Sequence, residues 1–291
     1  MILISWNLNG RRRDTTAQIE ALLLRQPDVI ALQEVTLSSL PLIREALAGG
    51  RLSHLVDSFT MGPPNFKPSG PRRYCLLIAS RYPLVPELPS RFQVPWPERI
   101  LGARLAIADQ HVLLYNTHIP PGSSNGWTKI EVLRGLFTGL AVASADARIL
   151  CGDFNTPQTE LPDGGVVTWA QRPTNDGGWR VVGRLQNGLG SEWDSAERQV
   201  LTGLAQYDLV DVYRMLHGYG TAEQSWILRR GNREVGRRFD HVFASRGLAP
   251  QTCQYLHNLR ESGLSDHSPI EVRFGLGSDP TGVTCNRDGG I

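Results

Sequence analysis

Apolar residues recur along this chain in two rhythms. Short apolar runs at residues 2–6, 28–33, 74–79 and 148–150 are too brief for helices and read as strands, those at 2–6 and 148–150 buried, and 270–274 reads as a last strand. Between them lies helical spacing. Ile19, Leu22 and Leu23 share one face of a helix that Asp14 or Thr15 caps and Pro27 stops. A second helix spans 37–48 and ends at Gly49-Gly50. A third, over 127–143, carries Ile130, Leu133, Leu136, Phe137 and Leu140 at helical intervals. Residues 103–108 and 111–116 predict a hairpin around Asp109-Gln110. Further on, Asp194 or Ser195 caps a helix through Leu204, and 210–216 predicts another short one. Residues 225–228 are strand-like, 229–238 form a basic turn, and 238–244 alternate as a strand does. The rest carries no period: a Pro/Gly-rich surface loop at 61–71, a proline-punctuated edge crossing at 83–97, and an irregular stretch at 156–194.

The first strand, helix and next strand form a unit consistent with parallel pairing. Asn7 and Glu34 then lie at one C-terminal sheet edge, where open α/β sheets keep their ligands. Strand–helix units alternate with hairpins in both halves, and no repeat, linker or composition shift divides the chain. This order predicts an α/β (α+β) domain over 1–275, two stacked sheets with helices outside. Residues 276–291 are expected to be a flexible tail.

Chemistry concentrates around residues 150–157. A buried strand ends at Gly152, which permits a tight exit, and Pro157 forbids simple continuation. On an extended backbone Asp153 and Asn155 would point to the same side. An Asp-x-Asn after a strand is equally ordinary turn chemistry. Other strand ends add Asn7, Glu34, His118, Asp240, Asp266 and His267. Each has a plain explanation alone, as a strand cap, a satisfied histidine, a partner of Arg237 or Arg238, or a turn. Together they are the groups that phosphate ester hydrolysis requires. Carboxylates and amide oxygens are hard ligands for Mg²⁺. A carboxylate can take a proton from an attacking water, and an Asp-held His can stabilise transition-state charge.

The motifs Ser5-Trp6-Asn7-Leu8-Asn9-Gly10, Leu32-Gln33-Glu34, Asn116-Thr117-His118, Gly152-Asp153-Phe154-Asn155 and Ser265-Asp266-His267-Ser268-Pro269 occur in that order, with Arg238-Phe239-Asp240-His241 before the last. In this the chain resembles the endonuclease/exonuclease/phosphatase superfamily, with its deoxyribonuclease I-like fold. The resemblance covers about residues 2–274. It implies a four-layer α/β/β/α sandwich and a divalent-metal phosphoesterase. It makes Glu34 the main metal ligand with Asn7 and Asp266 beside it, and Mg²⁺ the expected ion, with Mn²⁺ as a substitute. Asp153 would align or deprotonate the water, Asn155 would hold a phosphate oxygen, and Asp240 would orient His267 on the scissile phosphate. Residues 193–205, Ser225-Trp226 and Gly236-Arg237-Arg238-Phe239-Asp240 are similar to the exonuclease III/apurinic-apyrimidinic endonuclease branch. That branch makes Trp226 and Phe239 candidate substrate contacts, with core packing the equal alternative. Arg237 joins them as a candidate substrate contact. The same branch usually carries Tyr where this chain has His118, and often Asn where it has Pro121. His118 follows the deoxyribonuclease I and phosphatase pattern, as an acid to the leaving oxygen or a phosphate donor.

Composition narrows this only slightly. Net charge is +2, and nearly all positive charge is arginine, since Lys67 and Lys129 are the only lysines. Arg72, Arg73, Arg229, Arg230, Arg233 and Arg237 suit phosphate contact. The charge balance permits a nucleic-acid partner without demanding one; together with the resemblance of the second half to the repair branch, these arginines make DNA the expected partner, and a small-molecule or lipid-headgroup phosphoester the alternative. Four scattered cysteines suggest neither a disulfide framework nor a zinc site. The opening apolar run is too short for a signal peptide and none spans a bilayer, so a cytosolic protein without a membrane partner, acting as a monomer, is expected.

Overall fold

The computed structural model describes residues 1–275 apart from 12, 50, 63–65, 88 and 232. The expected tail and the middle of the 61–71 loop fall outside the described residues. In chain order the main elements are β1 (Ile2–Asn7), α1 (Thr15–Leu23), β2 (Val29–Val35), α2 (Leu40–Ala48), β3 (His54–Asp57), β4 (Cys75–Ser80), β5 (Leu84–Glu87), β6 (Ile100–Ile107), β7 (Gln110–His118), α3 (Thr128–Leu140) and β8 (Ala147–Asp153). They continue as α4 (Gly190–Leu201), β9 (Val210–Asp211), α5 (Val212–His217), β10 (Trp226–Arg230), β11 (Arg233–Arg237), β12 (Asp240–Ala244), β13 (Pro250–Tyr255), α6 (His257–Glu261) and β14 (Ile270–Phe274).

Two six-stranded mixed sheets result, ordered β13-β14-β1-β2-β4-β3 and β9-β12-β8-β7-β6-β5. Each has one parallel pair at its centre, β1 with β2 and β7 with β8. The apolar runs follow from this. Along β2, Val29 and Ala31 enter the core between the sheets while Ile30 and Leu32 pack outward with α1 and α2. Along β8, Ile149 and Cys151 face inward while Leu150 packs with residues of α3 and α4. Each strand is thus covered on both faces, and the molecule has the four layers of the deoxyribonuclease I-like sandwich. At the site end the sheets are tied by polar groups. Gln33 donates to Asn116 Oδ1 at 2.8 Å, and Asn116 donates to the Leu32 carbonyl at 2.9 Å.

The structure corrects three local expectations. The basic turn at 229–238 is a hairpin, β10 with β11. It forms its own ladder outside both sheets, so no buried face imposes an apolar rhythm. The helix expected from Asp194 or Ser195 begins at Gly190 and ends at Leu201. Its start is set by tertiary contact, since a Cβ at Gly190 would lie 1.8 Å from the Val182 carbonyl. The irregular stretch 156–194 contains three short ladders, Thr159–Glu160 with Val166–Val167, Gln171–Pro173 with Trp179–Val181, and Arg184–Leu185 with Gly188–Leu189. Among the described residues no helix is long and apolar enough to cross a membrane.

Candidate active site

The two parallel pairs deliver the polar strand ends to one place. Asn7 and Glu34 come from β1 and β2, His118 and Asp153 from β7 and β8, and Asp240 from the start of β12. Asp153 pairs in register with both His118 and Asp240. The loop carrying Asp266 and His267 is pinned to β1, where Trp6 Nε1 donates to the His267 carbonyl at 2.9 Å and Ser265 Oγ to the Asn7 carbonyl at 2.7 Å.

Glu34 interrupts its strand. Its φ is +55°, and the β2–β4 register shifts between Leu32 and Val35. A β-bulge of this kind re-aims a side chain, and the left-handed conformation of a non-glycine residue costs about 1–3 kcal/mol. Here it turns the carboxylate toward Asn7, whose Nδ2 donates to Glu34 Oε1 at 3.3 Å and to Asp153 Oδ2 at 2.9 Å. Asn7 Oδ1 accepts from the Asn9 amide at 2.9 Å. In this orientation Asn7 bridges the two carboxylates as a donor.

Asp153 and Asn155 do not lie on an extended backbone. Asn155 adopts φ +52°, and its amide donates to Asp153 Oδ1 at 2.9 Å, so the turn chemistry is present. The bend nevertheless leaves both side chains lining one cleft. Gly152 makes room for it, since a Cβ there would lie 1.9 Å from the Thr117 carbonyl. Burial pushes the Asp153 carboxyl up, against the pull of nearby His267. Burial raises Glu34 as well.

His267 Nδ1 lies 2.8 Å from Asp240 Oδ2, and its Nε2 faces Asp153 Oδ2 at 3.8 Å. Burial disfavours the imidazolium, but the Asp240 and Asp153 carboxylates outweigh it and hold His267 up at about 10. His118 is the opposite case. Arg99 donates to its Nδ1 at 2.6 Å, which leaves the proton on Nε2, 3.6 Å from Glu34 Oε1 and 3.7 Å from Asp153 Oδ2. Burial and the Arg99 charge together hold His118 well below the ordinary histidine range. One histidine is thus kept charged and the other neutral.

The donor set fits a hard cation. Glu34, Asp153 and Asp266 offer carboxylate oxygens, and the buried Asp266 Oδ1 has no hydrogen-bond partner among the described residues. Asp153, Asp240 and His267 also bring ligand atoms within 4.8 Å of one another; Asp240 Oδ2 bonds His267 Nδ1, while its buried Oδ1 has no hydrogen-bond partner among the described residues. Glu34 and Asp266 line the same cleft as Asp153. When bound there, a divalent ion supplies positive charge against a phosphate.

Glu34, His118, Asp153, Asn155, Asp266 and His267 line a cleft of about 650 Å³ that also includes Arg73, Tyr74 and Trp226. Trp226 stacks on Phe239 with ring centroids 5.2 Å apart, and its Nε1 donates to Asp266 Oδ2 at 3.1 Å. Arg237 does not line this cleft; its guanidinium lies over Trp169, 5.8 Å from the ring centroid. The side chains of Arg229, Arg230 and Arg233 fall outside the described ones. Sequence reasoning missed Arg99, Trp169 and the buried pair of Lys129 and Glu197. For Lys129 the signal was available, as one of two lysines in an arginine-rich chain, set beside Ile130 in an otherwise apolar helix face.

A two-sheet sandwich with carboxylates, an amide and paired histidines at one end is the architecture of a phosphoester hydrolase. The chain belongs to the Endonuclease/Exonuclease/phosphatase family, whose model matches residues 4–267. Among solved structures it is similar to an AP endonuclease from Archaeoglobus fulgidus, at 19% identity and TM-score 0.66, over 95% of this chain and 100% of that one. It is also similar to the 3′ phosphatase NExo (D146N) from Neisseria bound to product DNA hairpin, at 22% identity and TM-score 0.63, over 94% and 99%. A humanized D. rerio TDP2 gives 16% identity and TM-score 0.60, over 94% and 98%. Among curated proteins, none matches the chain in sequence.

Proposed function

We propose that the protein is a Mg²⁺-dependent DNA phosphodiesterase of the exonuclease III/AP endonuclease type, with Mn²⁺ as a substitute ion, acting as a monomer. The observation that carries this reading is Trp226. One indole edge is bonded to Asp266 at the cation end of the site while its face stacks on Phe239, so chemistry and an aromatic contact surface share one cleft wall. Glu34 and Asp266 hold the ion, and Asn7 offers Oδ1 once its amide reorients. Asp153, raised by burial, takes the proton of the attacking water. The Nε2–H of His118 donates to a phosphate oxygen, Asn155 does so once its Nδ2 leaves the Ile119 carbonyl it bonds at 2.9 Å, and charged His267, held by Asp240, opposes the growing negative charge. Arg237 acts at one remove, over Trp169.

The test is Mg²⁺-dependent cleavage of a labelled duplex with one abasic-site analogue, beside its intact twin, with EDTA and His118→Tyr as controls. Cleavage of either duplex is expected. Cleavage confined to the abasic strand would establish abasic-site specificity, and equal cleavage a general nuclease. Turnover of a generic phosphodiester dye with neither duplex cut would overturn DNA as substrate. It would favour a small phosphoester, the reading that His118 supports.

A further inference from the structure

A second cavity, of about 370 Å³, opens off the catalytic cleft and shares Pro121, Asn155 and Trp226 with it. It is lined by Trp226, Phe239, Trp169, Trp193 and Leu185, with Trp169 touching Phe239 at 6.4 Å between ring centroids. Trp169, Leu185 and Trp193 come from the ladder region of residues 159–189 and from α4, which take no part in the catalytic cluster. Its volume lies in the range of about 300–1,000 Å³ typical of small organic ligands.

The wall is fastened deliberately. Trp169 Nε1 donates to the Asn155 carbonyl at 3.0 Å, and its backbone amide to Glu197 Oε2 at 2.8 Å. Trp193 Nε1 donates to Glu197 Oε1 at 3.0 Å. Lys129 Nζ, fully buried, donates to the same oxygen at 2.5 Å and to the Asn155 carbonyl at 3.0 Å. A buried ion pair is costly to build and adds little net stability over an apolar replacement. This one ties the two indoles to the backbone of Asn155. Gly122 allows Trp193 to approach, since a Cβ there would lie 2.7 Å from the indole. The rings are braced around open space instead of packing it shut.

An aromatic lining that also includes the polar side chains of Arg172, Gln186 and Asn155 suits a flat heteroaromatic ring with hydrogen-bonding edges. A bare deoxyribose has no π-face to use them. We infer that this cavity receives one intact nucleobase of the nucleotide attached to the scissile phosphate, so the substrate is selected by the presence of its base. The inference rests on the phosphodiesterase reading of the adjoining cleft. A base must leave its stack to enter, so single-stranded DNA and frayed ends are bound more tightly than paired duplex.

The test is equilibrium binding in EDTA to a single-stranded pentanucleotide with central 2-aminopurine, against the same oligonucleotide carrying an abasic analogue, followed by anisotropy. Saturable quenching of 2-aminopurine is expected, with affinity about ten-fold or more above the abasic analogue. Leu185→Trp and Ser123→Trp, which add bulk from two different walls, should each remove the quenching and bring the two affinities together. Ser123 is exposed, so its replacement tests the cavity even where the Leu185 variant misfolds. Equal affinities in the wild type, quenching that survives both variants, or no binding would each overturn the inference. Hydrolysis of bis(p-nitrophenyl) phosphate with Mg²⁺, run in parallel, tests the phosphodiesterase reading alone. Quenching without hydrolysis would uphold the base pocket and sink that reading, and hydrolysis without quenching the reverse.

Discussion

At the scale of single residues, the site separates similar side chains by what touches them. His267 has a carboxylate on each ring nitrogen's side, whereas His118 has an arginine on one. Because Arg99 can only donate, His118 Nδ1 must accept, and its Nε2–H becomes the donor toward the cleft. Imidazole ¹⁵N spectra at pH 7 should show His118 as the neutral Nε2–H tautomer. Arg99→Gln should mix the tautomers and lower kcat, and an imidazolium signal for His118 in the wild type would sink this assignment. Asp153→Asn should lower kcat by about 10²–10⁴-fold, the usual worth of a general base. The variant should stay folded, because an amide oxygen can still accept from the Asn155 backbone, and circular dichroism beside kinetics checks both parts. Unfolding would make Asp153 a structural turn. Asp153, Glu34 and His267 were legible in the sequence because they end strands whose apolar runs are plain. Arg99 was not, because nothing in Pro97-Glu98-Arg99 marks a side chain that reaches a histidine nineteen residues on.

At the scale of elements, local pattern succeeded where a strand or helix buries a defined face and failed where tertiary contact sets the boundary. The ladders between 159 and 189 have strands of two or three residues, too short for any period to show. They are held instead by contacts such as Gly188 against Trp127. One device connecting them to the sandwich is a buried charge network. Arg238 donates to both Glu160 oxygens, at 2.8 and 2.5 Å, and to Asp211 Oδ2 at 2.6 Å, while Arg214 reaches Glu160 Oε2 at 2.6 Å. Burial alone would push Glu160 up, but the bonds from Arg238 and Arg214 outweigh it and hold it at about 2. Asp211 is lowered too, by Arg238 and His241 against the same effect of burial. A carboxylate depressed on folding stabilises the native state above its unfolded pKa and loses that contribution as pH falls through its folded one. Arg238→Met should therefore cost about 3–5 kcal/mol near neutral pH, by leaving two buried carboxylates short of their partner. The gap between variant and wild type should narrow as pH falls from 4.5 toward 2. Urea melts at pH 7 and pH 3 check this, and a gap that widens in acid would refute it.

At the scale of the whole molecule, neither sheet owns the site. One brings Asn7 and Glu34, the other His118 and Asp153, and the amide of Asn7 crosses the seam to Asp153. Stacking the sheets forces carboxylates together in a place where burial raises both Glu34 and Asp153. The fold thus carries an electrostatic cost that a bound cation relieves, and this sets opposite signs for one substitution under two conditions. In EDTA, Glu34→Gln removes a desolvated negative charge and should melt no lower than the wild type. With Mg²⁺ at 100 times its Kd, wild-type Tm should rise by about 5–10 °C, since such an excess stabilises by about 2.7 kcal/mol and each kcal/mol moves Tm by about 2–4 °C in a domain approaching this size. Glu34→Gln, lacking the carboxylate proposed as the main ligand, should gain little, so the order of the two proteins should reverse between the two buffers. Asp266→Asn, which leaves the bulge at Glu34 intact, should lose only part of the shift. Scanning calorimetry of the three proteins in both buffers reads all of this without turnover. A full Mg²⁺ shift in Glu34→Gln would move the cation away from the seam, toward Asp153, Asp240 and His267.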